Sequence, residues 1–449
     1  MAEGMREEYI QGVVWSFSRR GLLRRAALAG GALVLPSGLL TSCTPPKRGP
    51  RRTDHYVVFY LLVGGWDLLL TTDPTPKKNT TFATPYSQRD VVVAGDVRLG
   101  PAMKPLQPFF DRLAILRGLY VDTLNHPQAR FRMVTGQFKP PGSVVTAPSV
   151  QTMIAAARSS AYELPNLSAD QLRPATFRGV NDPLRLEPVR VSSMQQLRSL
   201  TGVDAADVVN HQAEIAAALH TLDEQTAAHW NTPLAKDFAG FADLERALGA
   251  SDYGDRVASS ASLLHPLRLF GATGRVDRQV ELAIEAIRLD LAPVVTLGTG
   301  EFDSHTRSQY ARHPEDVKNA LQGIADIAHG LQAIVDDDGR TLLDKTTIVV
   351  TSEFSRTPSI NELGGKHHWP TNAMLMLGKG VRRGAHGQPR VFGSVDEHLA
   401  AVAINPHNGS HKRGADMLDM SHALATVLAV AGIDPQPLIQ QEPIVDLLA

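Results

Sequence analysis

Carboxylates and imidazoles recur in this sequence at short spacing, each just past an apolar run. Asp67 closes Gly64-Gly65-Trp66-Asp67, and Asp303 and His305 share Glu301-Phe302-Asp303-Ser304-His305. Glu353 follows Thr351-Ser352, and His367 and His368 lie in Gly364-Gly365-Lys366-His367-His368-Trp369-Pro370. In an extended segment Asp303 and His305, two apart, project to the same side. Carboxylate mixed with imidazole is a donor set for zinc, manganese or iron, whereas oxygen ligands alone suit calcium or magnesium. A cation there would screen the carboxylates from one another and would acidify a water or polarise an ester oxygen. Taken singly, each residue has a plainer role. Asp67 would be a turn or cap residue, His367 and His368 a packed polar loop beside Trp369, and Glu353 a salt-bridge partner of Arg356. Their shared position is what points to metal.

That position follows from the elements around them. Residues 56–63 form a continuous apolar run of the kind that suits a central strand buried on both faces. A second strand is expected over 113–116, followed by a loop over 122–128. Val280, Leu282, Ile284, Ile287 and Leu291 lead as a helix into a strand at 294–297. Val317, Leu321, Ile324, Ile327, Leu331 and Ile334 carry the three- and four-residue spacing of a helix packed on a sheet. Gly339 stops it, and the strand 346–351 follows. A last helix is expected over 421–431, with Ser421 as N-cap and Gly432 as its stop. Strand, helix and strand in that order predict an α/β fold, a doubly wound and mostly parallel sheet sandwiched by helices. Such sheets bind ligands in the crevice at the carboxyl edge of their strands, which is where the candidate residues fall. Strand signals fade over residues 149–270, which read as a mainly helical insertion or cap.

Those four motifs, in that order, resemble a bacterial family of unknown function, the domain of unknown function 1501, within the alkaline phosphatase and sulfatase superfamily. The resemblance runs from about Tyr56 onward and is clearest between Ala292 and Gly380. It implies the same α/β sandwich and, residue by residue, Asp67, Asp303, His305, Glu353 and His368 as metal ligands. It also implies one or two divalent ions, zinc or manganese before calcium. Three departures stand out. Where the superfamily places a Ser, Thr or modified Cys at a helix start, about nine residues before a Thr-Gly pair, counting back from Thr135-Gly136 reaches His126. A hydroxyl nucleophile is absent from that position, which leaves His126 as a further ligand, a nucleophile, a general acid or a structural loop histidine. His367 stands where the family has Asp, and Ser355 where it has Gly.

The leader sets the expected location. Arg19 and Arg20 precede an apolar run over 26–40 that is broken by Gly30, Gly31, Pro36 and Gly38, too short and too interrupted to span a bilayer. This resembles a twin-arginine signal, which members of the family typically carry, and Leu40-Thr41-Ser42-Cys43 resembles a lipobox with Cys43 as the acylated residue. Cys43 is the sole cysteine of 449 residues, so neither an intramolecular disulfide nor a formylglycine built on cysteine is available. Residues 1–43 are thus expected as signal, 44–54 as a basic, proline-interrupted tether near an anionic lipid surface, and 55–449 as the folded domain. The protein is expected on the periplasmic face of a membrane or on the cell surface, after passage through the twin-arginine export machinery. A net charge of -1 argues against nucleic acid as a partner.

The leading expectation is a metal-dependent hydrolase of phosphate or sulfate esters, with Arg130 or Arg356 gripping the anionic group bidentately. The alternative is a non-catalytic surface or assembly protein that keeps a structural metal site. A lipid-headgroup or glycan-binding module is a third reading, without an aromatic stripe to recommend it.

Overall fold

A computed structural model describes residues 51–74, 82, 84–137, 147–162, 164–169, 188–191, 275–299, 302–407, 409, 417–436 and 438–449. Arg19, Arg20, Cys43 and most of the expected 149–270 cap, residues 163, 170–187 and 192–270, lie outside the described residues.

The apolar run after residue 55 forms strand β1 (Tyr56–Leu62), buried at every position. Its side chains alternate between two cores, as the period of two in a strand requires. Tyr56, Val58, Tyr60 and Leu62 face one core, and Val57, Phe59 and Leu61 face the other. A small hairpin, β2 (Val92–Ala94) and β3 (Val97–Leu99), stands apart from the main sheet. The remaining strands of that sheet are β4 (Leu113–Tyr120), β5 (Asn166–Ser168), β6 (Val189–Arg190), β7 (Val294–Thr299) and β8 (Thr346–Thr351). After the short pair β9 (Ser355–Arg356) and β10 (His368–Trp369) come β11 (Thr371–Gly378) and β12 (Arg390–Phe392). Eight strands line up in the order β12-β4-β11-β8-β1-β7-β5-β6. β1 is parallel to both β7 and β8, while β11 is antiparallel to β4 and β8. The sheet is therefore mixed, mostly parallel, with β11 alone reversed. That reversal matters for the site, because the loop entering β11 lies at the edge where its neighbours end.

Helices cover both faces. Helix α1 (His126–Thr135), α2 (Val150–Arg158) and α5 (Met420–Val430) supply one core; α3 (Arg275–Arg288) and α4 (Arg307–Gln332) supply the other. The structure extends several expectations. The strand expected over 113–116 runs on to Tyr120, and that over 294–297 to Thr299. Helix α4 starts ten residues before Val317, where Thr306 and Gln309 form a capping box. The N-cap of α5 is Asp419, not Ser421: its carboxylate accepts from the backbone N–H of Ser421 and of His422, while the Ser421 hydroxyl bonds the Gly136 carbonyl. Within the expected cap, α2 packs into a core and β5 and β6 join the sheet. Arg51, in the expected tether, is already part of the fold, bonded to Asp336 and to the Ile287 carbonyl.

His55, just before β1, is buried with Nε2 at 2.7 Å from the Thr347 hydroxyl. Burial first, then the charges of Arg158 and Lys379, push its pKa down to about 3. The folded state therefore holds it neutral, and its contribution is complete above the ordinary histidine value of about 6.5. As pH falls from there toward 3 that contribution is lost. His55→Gln is expected to flatten this part of the acid limb, read from urea midpoints across the pH range.

Candidate metal centre

Every candidate side chain lies at the carboxyl edge of the sheet. Asp303 and His305 follow β7, Glu353 follows β8, Asp67 follows β1, and His126 opens α1 after β4. His368 stands in β10, just before the reversed β11, and pairs there with Arg356 of β9. The β1 loop reaches the β7 loop only because residue 64 is glycine. Its φ is +116°, and a Cβ there would lie 2.5 Å from the Asp303 backbone nitrogen.

Four side chains converge. Donor atoms of His126, Asp303, His305 and His368 all lie within 4.8 Å of one another. His305 Nε2 is 2.9 Å from His368 Nε2 and 3.1 Å from Asp303 Oδ1. His126 Nε2 is 3.5 Å from Asp303 Oδ2, and His368 Nε2 is 3.8 Å from Asp303 Oδ1. Donors around a tetrahedral ion with bonds of about 2.0–2.1 Å sit about 3.3 Å apart, so this spacing suits one ion.

The orientation of the rings agrees. His368 Nδ1 lies 2.8 Å from the Leu124 carbonyl, which can only accept, so the proton belongs on Nδ1 and the lone pair on Nε2. Two ring nitrogens 2.9 Å apart then need either a proton or a cation between them. His126 Nδ1 is 2.9 Å from Glu353 Oε1, while its Nε2 is buried and without a hydrogen bond. A carboxylate behind one ring nitrogen and an orphaned second nitrogen aimed at other donors is the arrangement of a metal-bound histidine. The donor set fits a divalent cation.

The remaining candidates take other places. Glu353 is buried behind His126, accepting from the Gly64 N–H at 2.9 and 3.0 Å and from Arg130 Nε at 3.2 Å. Burial raises its pKa, but His126, the backbone N–H groups and Arg130 outweigh that and hold it below the usual value. Asp67 stands apart from the four: its Oδ2 takes the Lys366 ammonium at 2.6 Å and the Tyr310 hydroxyl at 3.1 Å, and Oδ1 caps Leu69. Arg356 cannot grip a substrate, because its buried guanidinium is spent on the carbonyls of Gly64, Gly65 and Lys366 and on Asp303 Oδ1 at 2.7 Å. Arg130 can: it gives one edge to Glu353 and its side chain is 30% exposed. His367 is half-exposed on the rim, with Nδ1 3.4 Å from His305 Nδ1 and Nε2 3.6 Å from Glu362.

Charge is distributed to match. His126, between two carboxylates, is pushed up to about 9 by Asp303 first and Glu353 next, against partial burial. Asp303 is driven far below the carboxylate range by His126, then His368 and Arg356. His305 is lowered by burial first and by Arg356 next. A cavity of about 420 Å³ beside Arg112, Lys379 and Arg383 lies at the other end of the sheet, with those cations paired to Asp344, Asp54 and Asp111. The titratable cluster lies on the open carboxyl rim instead.

The sequence matches the family described as Protein of unknown function (DUF1501) over residues 54–440. The chain belongs to the DUF1501 family. No curated protein matches it in sequence. Among solved structures it is similar to the lipoteichoic acid synthase of Listeria monocytogenes, with 8% identity over 88% of this chain and 76% of that one, at a TM-score of 0.38. It is likewise similar to a sulfatase from Pseudoalteromonas, with 12% identity over 88% and 72% and a TM-score of 0.35. A protein in the alkaline phosphatase superfamily from Vibrio parahaemolyticus shows 10% identity over 90% and 76%, with a TM-score of 0.37.

Lys366 and Tyr310, which engage Asp67, carry no signal in the motifs of this DUF1501 chain. A lysine in a Gly-rich loop ordinarily reads as solvated. The legible hint was the run Gly364-Gly365-Lys366, whose small residues let the loop press against residues 304–305: a Cβ on Gly365 would lie 2.3 Å from the His305 carbonyl carbon.

Proposed function

We propose that this protein is an exported, lipid-anchored, metal-dependent hydrolase of phosphate or sulfate esters. The observation that carries the reading is the convergence of His126, Asp303, His305 and His368, with an orphaned and buried His126 Nε2 among their donors. These four would hold a divalent ion, zinc by the three imidazoles or manganese by the mixture of imidazole and carboxylate. Such an ion supplies Lewis acidity at an ester oxygen and lowers the pKa of a water beside it.

The chain's own residues do the rest. Glu353 fixes the His126 ring through Nδ1, which directs Nε2 inward. That buried nitrogen cannot be approached in line by phosphorus or sulfur, which favours a ligand role over a nucleophilic one. Arg130 lies one turn beyond His126 on the same face of α1 and presents the open edge of its fork to an anionic group. Export through the twin-arginine route would let the site fold around its ion before leaving the cytoplasm.

The test is a panel of aryl phosphates, aryl sulfates and phosphodiesters given to the metal-loaded protein. Turnover is expected and should vanish in His305→Ala. Arg130→Ala should raise KM for the anionic ester about 10- to 100-fold, the worth of a charged hydrogen bond, at unchanged metal content. One observation favours the second reading, a structural metal site in a non-catalytic surface protein. Three imidazoles and a carboxylate are four ligands, the number that closes a tetrahedral zinc site. Full metal loading with no turnover across the panel would decide for it.

A further inference from the structure

Asp67 and Lys366 form an ion pair with side chains 1% and 0% exposed, next to the loops that hold the four donors. The pair is well anchored. Lys366 Nζ lies 5.0 Å from the centre of the Tyr310 ring, and its backbone N–H donates to the Ser304 carbonyl at 2.8 Å. Its own carbonyl accepts from Arg356 at 3.1 Å. Close by, Ser304 Oγ and both ring nitrogens of His313 are buried without hydrogen-bond partners, and the His313 ring stacks on Tyr310 at 5.8 Å.

The charges around the centre close pairwise. Asp303 is matched by Arg356 at 2.7 Å, Glu353 by Arg130 at 3.2 Å, and Asp67 by Lys366 at 2.6 Å. One divalent ion on neutral imidazoles and Asp303 therefore leaves the site about two charges positive, which suits an anionic substrate. Among the described residues, a second divalent ion at Asp67 would find no uncommitted carboxylate and would have to sit against an ammonium. Buried like charges without compensation are among the costliest arrangements in a protein.

We infer that Lys366 is a built-in cation that takes the place of a second metal ion at Asp67, so that the centre holds one ion per chain. The inference rests on the metal reading above and adds the count. Lys366 is a positioning residue: its ammonium ties the β1 loop to the segment that carries His367 and His368.

The purified protein, equilibrated with excess Zn²⁺ and then desalted, should contain one ion per chain by elemental analysis. Two tightly held ions would overturn the inference while leaving the metal reading intact; no ion at all would bring down both. Lys366→Met should lower the thermal midpoint and admit a second zinc at Asp67, with the His313 ring and the Ser304 hydroxyl as further donors. Asp67→Asn/Lys366→Met removes both charges, and should return to one ion and recover at least half of the lost midpoint. A single-ion Lys366→Met whose instability Asp67→Asn does not relieve would show that the ammonium is not the counter-ion of Asp67. If Lys366→Met alone does not fold, the double variant decides: folding with one ion supports the pair, and failure to fold refutes it.

Discussion

Glu353→Ala should lose both metal and stability, and by more than any other single truncation behind the donor set. The carboxylate is buried and serves four neighbours at once: the Gly64 N–H, His126 Nδ1, Arg130 Nε and the Ser352 hydroxyl. Truncation leaves the buried Gly64 N–H unsatisfied, at a cost of about 1–3 kcal/mol, and takes the counter-charge from the part-exposed Arg130. His126 loses the partner that fixes its ring, and outer partners of metal-bound histidines are worth about 10- to 100-fold in affinity. Glu353→Gln separates the two effects. Its amide oxygen still accepts from Gly64 and fills the same space, so most of the stability returns while metal affinity stays low. Urea midpoints read the first and chelator competition the second. Because the folded pKa of Glu353 is depressed, its share of stability is present above about 4.5 and is lost as pH falls below it. The alanine variant should lack that acid-side loss. Unchanged affinity in Glu353→Ala would mean that His126 is held by something else.

Much of this architecture was legible because burial leaves a plain mark on sequence. The runs 56–62 and 346–351 are buried at every position, and continuous apolar or β-branched stretches have no other ready use. The helical stripe that starts at Val317 was equally plain, although the helix ends at Gln332 with Ala333 as its C-cap, before Ile334 and the expected stop Gly339. The first ten residues of α4 were not, since Arg307 to Asp316 are largely polar and include Pro314, although Thr306 and Gln309 spell a capping box. β5 and β6 have three and two residues, too few to show any period. At the site, sequence placed each loop at the right edge but could not say which cation each carboxylate would meet. Asp67 and Glu353 follow strands just as Asp303 does, yet Lys366 takes the first, and Arg130 with His126 takes the second. Such sorting depends on contacts 223 to 299 residues apart. His126 was reached by counting back from Thr135-Gly136, although Asn125-His126-Pro127 also reads as an N-cap followed by proline in the first turn.

Asp303→Asn should strip the ion almost completely, because it removes the only carboxylate among the four donors. The same change also leaves Arg356 buried without its carboxylate, and the two consequences must be told apart. Arg356 is held by three backbone carbonyls as well as by Asp303 Oδ1, so the guanidinium has no route to solvent. An uncompensated charge in that position should cost about 3 kcal/mol or more. A second substitution, Arg356→Met, removes the stranded charge and roughly preserves the side chain's length. Asp303→Asn/Arg356→Met is therefore expected to regain part of the lost stability, read from its urea midpoint, while remaining metal-free. Metal returning in the double variant would mean that Asp303 acts by balancing Arg356 and not by binding the ion. Stability failing to return would mean that Arg356 matters for the three carbonyls it joins across the β1 and β10 loops. Either result assigns Asp303 and Arg356 separate roles at a point where ligand, counter-ion and loop anchor share one carboxylate oxygen.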